Sequence, residues 1–439
     1  MQTNLKPASG SALRTTVIYA LFTLLIILWT LQPLGLRPAN CISAIGEKPA
    51  TCVWRVAAEL PLWLLVLGLV LWNICKSGKG KLFLKAWTRL WLVVPFLLLT
   101  VISTTWSAAP LVTLERTLIL IAATITIVYL LQDKNPNEVS NLLAGFFAIL
   151  IAASYLLIFL FPSVGRMLNP PYNGAWDGIF WHRNYLGAFM AFGSTVYLFR
   201  LLFLQNKGAF TKLISIAGIA ASTVLVLGSH SGAGILTLAT LTALTLVIFL
   251  WAKVRNRMRP WHYWATGAAA IILAVAVLTN LDFVFGLVNR NTSLTGRIPL
   301  WQLLYQEYVS TRLLFGYGMN AIWAFESVRT GLQSALGWGY PVLIGDNGMV
   351  DILLHLGVAG AILMLALILY AFYRSGKYAI TVKTGMAFLP LIGMVFVVMG
   401  NISLSMLLEL EYFVWVLILF TILVDFDSSS EKTEIEKPS

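Results

Sequence analysis

The sequence predicts an all-α polytopic membrane protein, with about twelve spanning helices and one long outer loop carrying an amphipathic helix. Three observations lead there. Of 439 residues, 59% are hydrophobic and only 11% are charged. Mean hydropathy is +0.83. The apolar residues also fall in runs long enough to cross a hydrocarbon core of about 30 Å. A net charge of +12 alone suits a nucleic-acid binder, but the basic residues flank the apolar runs, so membrane lipid is the expected partner and nucleic acid is not.

The runs lie at 15–33, 57–75, 86–104, 111–131, 141–161, 186–204, 213–227, 232–253, 264–281, 349–373, 385–403 and 405–424. The first is too long for a signal-peptide core and lacks a small-residue cleavage site before Pro33, so it reads as a retained anchor. The seventh is short, and the last two almost touch. Residues 1–424 form one integral membrane domain, in which 282–347 is the outer loop between spans nine and ten. Residues 425–439, polar and rich in serine and glutamate, read as a disordered cytoplasmic tail.

Orientation follows from lysine and arginine. With the N-terminus inside, twenty of the 30 fall on inner segments, so the positive-inside rule puts both termini in the cytoplasm. Of the outer ten, only Lys48 is lysine. Guanidinium forks suit bidentate contact with phosphate or carboxylate, so an arginine-dominated outer face points to an anionic ligand. Arginines there also snorkel to lipid headgroups, the reading that fits Arg37, Arg55 and Arg312. Cys75 sits at the inner end of a span. Cys41 and Cys52 share a short outer loop, where they either form a disulfide or stay as two thiols.

Residues 296–312 read as an amphipathic helix along the outer leaflet. Ile298, Trp301, Leu304, Tyr305 and Tyr308 share one face, and Gln302, Gln306 and Ser310 the other. Two glycines in Leu314-Phe-Gly-Tyr-Gly318 end it.

Four stretches resemble, in order, the bacterial O-antigen ligases, O-oligosaccharyltransferases and exopolysaccharide polymerases. They are Trp106-Ser107 with Pro110 and Arg116; the segment 178–187, Gly-Ile-Phe-Trp-His-Arg-Asn-Tyr-Leu-Gly; the segment 293–301 leading into Gly316-Tyr-Gly318; and Asp346-Asn347, nine residues, then Gly357-Val-Ala-Gly360. The resemblance implies a metal-independent, inverting glycan transfer without a cofactor, on the periplasmic or exterior face of a bacterial inner membrane. Its donor would be a glycan on a polyprenyl diphosphate, and its acceptor a hydroxyl of another glycan, a lipid core or a protein. A chain-length regulator and a flippase of the same assembly system are the implied protein partners.

Chemistry assigns roles within these stretches. A departing diphosphate needs fixed positive charge, and cations can supply it without a metal. Arg297, at a helix start, is the first choice; Arg183 and Arg116 come next, with Arg166 and Arg290 in support. Asp346 stands where the family usually has histidine, so it is the candidate general base; its other reading is a cap on the tenth helix. His182 is a second base candidate or a structural histidine. Asn184, Asn347 and Trp301 are candidate glycan or diphosphate contacts, and Trp301 also suits an interfacial aromatic belt. Asp351, an acid inside a span, should have a partner. The expected function is a polysaccharide polymerase. The alternative is a ligase or O-oligosaccharyltransferase, and the rival from another class is a transporter or flippase for lipid-linked sugars, which would place polar groups near mid-membrane on broken helices.

Overall fold

The computed structural model describes residues 60–77, 80–168, 172–204, 208–254, 297–339, 341–382, 384–408 and 413–424. The first and ninth expected spans, Cys41, Cys52, Arg290 and the polar tail lie outside the described residues.

The described chain is helical, with one isolated antiparallel bridge between Arg166 and Trp176. Among the described residues, seven helices are long and apolar enough to cross a membrane. They coincide with runs four to eight, ten and eleven. Helices α1 (Leu60–Ser77) and α2 (Gly80–Arg89), bent by 117° at their junction, make an eighth if taken together. The third expected run is divided. Its first residues belong to α2, and a turn at 90–92 separates them from α3 (Val93–Ile102). Pro95 in the first turn of α3 accounts for the break, because its ring and missing N–H do not let one helix run through.

Helix α4 (Pro110–Leu131) begins on a proline at its first position, and α5 (Pro136–Leu160) on a capping box. There Asn135 Oδ1 accepts from Glu138 N, and Glu138 Oε2 accepts from Asn135 N, each at 3.0 Å. Helices α6 (Arg183–Phe203), α7 (Ala209–Gly228) and α8 (Gly232–Val254) follow. Of the three, α6 is central: 78% of its apolar window is buried against 28% for α7 and for α8, and it packs on both of them and on α5. A side chain on Gly234 would meet the Gly187 backbone at 2.7 Å, so these glycines permit the close crossing of α6 and α8.

Beyond the undescribed stretch come α9 (Arg297–Leu304), α10 (Glu326–Leu336), α11 (Gly348–Val382), α12 (Leu389–Ser403) and α13 (Phe413–Leu423). The rings of Phe147, Phe189, Phe192, Phe396 and Phe413 form an aromatic core joining α5, α6, α12 and α13, with Phe192 stacked on Phe396 at 4.6 Å.

The expected single helix over 296–312 needs correction. Regular α-helix ends at Leu304, passes through a π turn (Tyr305–Val309) and finishes in a 3₁₀ turn (Ser310–Arg312). Its buried face is Leu300, Leu304 and Val309, packed with Ile322, Trp323, Leu332, Val342 and Leu354 in a second small core. The π turn adds a residue to the repeat, so Val309 takes the buried place that ordinary helical spacing gives to Tyr308. Ile298 and Tyr305 are exposed.

Candidate functional site

Three of the four motifs meet through backbone hydrogen bonds. Helix α11 is interrupted at Gly357 (φ 63°, ψ −160°), a conformation open essentially to glycine alone. The loop Leu314-Phe-Gly-Tyr-Gly318 fills the break. Val358 N and Ala359 N donate to the carbonyls of Leu313 and Leu314 at 2.8 and 3.1 Å, while Tyr317 N and Gly318 N donate to those of Leu354 and His355, both at 2.9 Å. The polar groups freed by breaking the helix are thus taken up by the loop. The first motif closes over the other side: Ala108 N donates to Tyr317 O (2.8 Å), Thr113 Oγ1 to Met319 O (3.1 Å) and Trp106 Nε1 to Phe315 O (3.1 Å). Arg312 donates to Trp106 O at 3.2 Å and lies over the Tyr317 ring.

The charged groups assemble beside this clasp. Arg297 Nε lies 3.7 Å from Asp346 Oδ2, with their side chains 12% and 30% exposed. Asp346 is not the cap of α11. Asn347 holds that place, its Oδ1 accepting from Met349 N (2.9 Å) and Val350 N (3.2 Å) while its Nδ2 donates to Ile402 O (3.3 Å). Asp346 is left in the left-handed region (φ 52°), one of three described non-glycine residues there. Burial pushes its carboxyl above the ordinary carboxylate range, and the charge and hydrogen bond of Arg297 oppose the rise.

His182 joins the group from the second motif. Burial first, then the positive fields of Arg183 and Arg297, hold its imidazole down at about 4. It caps α6, with Nδ1 accepting from Asn184 N at 3.2 Å, so the neutral ring carries its proton on Nε2. The buried Arg183 donates to the carbonyls of Ser229 (3.3 Å) and His230, and its guanidinium lies 4.1 Å above the Tyr172 ring. Asn184 Oδ1 accepts from Ser231 Oγ at 3.0 Å. The turn between α7 and α8 therefore fixes both residues that follow His182. Tyr172, Ser229 and Ser231 carried no sequence signal for this, because they act through ring faces, carbonyls and contacts across 46 or 47 residues.

The remaining candidates are dispersed. Arg116 is buried in α4, one turn after the Thr113 that closes the clasp. Arg166 donates to Ile158 O (3.2 Å) at the end of α5, the place of a helix anchor. Trp301 donates from Nε1 to Gly345 O at 2.8 Å, which ties α9 to the residue before Asp346. Asp177 is buried, its carboxyl pushed up to about 7 by desolvation against two backbone hydrogen bonds.

Residues 217–365 match the family model described as O-antigen ligase, a stretch that includes Arg297, the Gly316-Tyr-Gly318 turn, Asp346 and the Gly357 break. The chain is also 24% identical, over 300 residues, to the exopolysaccharide production protein ExoQ of Rhizobium meliloti (strain 1021). The family resemblance holds. The chain is similar to the O-antigen ligase family and to an exopolysaccharide production protein, and the motifs joined in the clasp are among those that suggested the resemblance. The match to ExoQ takes in 66% of this chain and 65% of the relative, so the chain spans just under two thirds of that protein's length.

Proposed function

We propose that this multi-pass membrane protein is a polysaccharide polymerase, joining lipid-linked repeat units at the outer face of a bacterial inner membrane in exopolysaccharide or O-antigen assembly. The observation that carries the reading is the Arg297–Asp346 pair, which lies within the family match, beside a neutral His182. In the proposed reaction the anomeric C–O bond to the polyprenyl diphosphate breaks. The acceptor hydroxyl forms the new bond from the opposite face, with inversion, and its proton passes to Asp346. Charge gathers on the diphosphate oxygens as they leave, and fixed donors stabilise it most where no reorganisation is needed. Arg297 and the Nε2–H of His182 supply those donors, and the start of the central helix α6 adds its positive end.

His182 thereby serves as a neutral hydrogen-bond donor and leaves the base role to Asp346. A carboxylate with a raised pKa is a stronger base than an ordinary one, and the charge of Arg297 opposes the rise that burial causes. No metal or cofactor enters this scheme.

The matching family is that of the O-antigen ligases, whereas ExoQ is an exopolysaccharide production protein, so ligase and polymerase readings both have to be tested. Purified protein in vesicles, given polyprenyl-diphosphate glycan and no nucleotide or metal, tests the choice. A ladder of longer lipid-linked glycans is the expected product. Transfer only when a lipid core or protein is added supports the ligase, and movement across the bilayer without bond formation supports a transporter.

A further inference from the structure

Helix α11 carries a second carboxylate that sequence chemistry marked only as needing a partner. Asp351 is 3% exposed. Its Oδ1 accepts from Trp323 Nε1 and from Gly345 N, both at 3.0 Å; its Oδ2 accepts from Gly345 N at 3.2 Å and from Ser405 Oγ. These donors come from three parts of the chain: the segment before α10, the residue preceding Asp346, and the residues just after α12. An ionised carboxylate suits the set, since it accepts at both oxygens and donates from neither.

The carbonyl of the same residue is held as well. Gly345 O accepts from Trp301 Nε1, and Trp301 lies one helical turn beyond Arg297 on α9. Gly345 is therefore clamped between α9 and α11 by its carbonyl and its N–H, and the next residue is forced into a left-handed conformation. Such a backbone persists only where its surroundings over-determine it.

We propose that Asp351 is a positioning residue, which through Gly345 sets the left-handed turn and so aims the Asp346 carboxylate at Arg297 and the acceptor hydroxyl. The inference rests on the reading of Asp346 as general base, and it adds Trp323 and Ser405 as the groups that hold Asp351 in place. Asp351→Asn keeps one acceptor oxygen but removes the charge and replaces the second acceptor with an Nδ2 donor, so one of the two contacts with Gly345 N is lost and the hold on Gly345 loosens while volume is nearly preserved.

The test compares Asp351→Asn, Trp323→Phe, Ser405→Ala and Asp346→Asn in the vesicle assay, per molecule of folded protein. Asp351→Asn is expected to lower kcat about 100-fold, the scale of a small misplacement of a reacting group, with KM for polyprenyl-diphosphate glycan nearly unchanged. It should also displace the acid limb of the pH profile, which a purely structural role would leave in place. Trp323→Phe and Ser405→Ala, each removing one hydrogen bond, should produce smaller losses of the same kind, and they decide the matter if Asp351→Asn does not fold. An inactive Asp346→Asn together with wild-type kcat and pH profile in the other variants overturns this inference alone. An active Asp346→Asn overturns the base reading and the inference with it.

Discussion

Arg297 Nε stands 3.7 Å from Asp346 Oδ2, although they are 49 positions apart, one at the start of α9 and the other in the loop before α11. The approach depends on Asn347 taking over the cap of α11, which leaves the neighbouring carboxylate to turn toward the guanidinium. A strong acid–base group is thereby freed from the structural duty its sequence position suggests.

Asp346→Asn should reduce glycan transfer by about 100- to 10,000-fold, the usual range for loss of a general base, with a wild-type elution profile for the folded protein. Initial rates of chain elongation in vesicles measure it. Activity within a few-fold of wild type would remove Asp346 from the mechanism.

The pH dependence carries a sign. A base works only when deprotonated, and burial raises the Asp346 carboxyl, so the acid limb of kcat/KM should lie above the ordinary aspartate value of 3.8. Arg297→Gln removes the charge that opposes the rise, so the limb should move further toward alkaline pH. A shift the other way would contradict the pairing.

His182 gives a separate prediction in stability. Folding depresses its imidazole from 6.5 to about 4, so between those values the unfolded chain binds more protons than the folded one. Its contribution is in place above pH 6.5 and is lost as pH falls toward 4. Thermal midpoints of His182→Gln should therefore decline less steeply than wild type as the pH is lowered through this window. Parallel curves would place the imidazole outside the buried, cationic setting described above.

Gly357→Ala tests the clasp. The new methyl would meet the Leu314 carbonyl, and the backbone conformation alone costs about 1–3 kcal/mol for another residue. A lowered thermal midpoint and loss of transfer are expected together. Unchanged stability would mean that α11 does not need its break.

Much of this arrangement was legible beforehand, and the rest was hidden for physical reasons. Hydropathy marked the seven long helices. The motifs carried Arg297, His182 and Asp346 because charged groups at the ends of apolar spans stand out. The break at Gly357 did not, since the residues on either side remain apolar and a left-handed φ leaves no mark on hydropathy. The clasp is made of main-chain bonds, which no side-chain pattern records. Asp351 was visible as a buried acid, but Ser405 lies 54 residues away and nothing in either neighbourhood links them.

The central claim is that one guanidinium–carboxylate pair carries the transfer, Arg297 on the leaving diphosphate and Asp346 on the incoming hydroxyl. Its most direct test is a single-turnover measurement of glycan bond formation in vesicles, with wild type, Arg297→Ala, Asp346→Asn and the double variant at saturating polyprenyl-diphosphate glycan. The account predicts that each single variant loses nearly all of the chemical step and that the double variant is little worse than either, as expected for residues acting as a unit. Rapid bond formation in either single variant would contradict it.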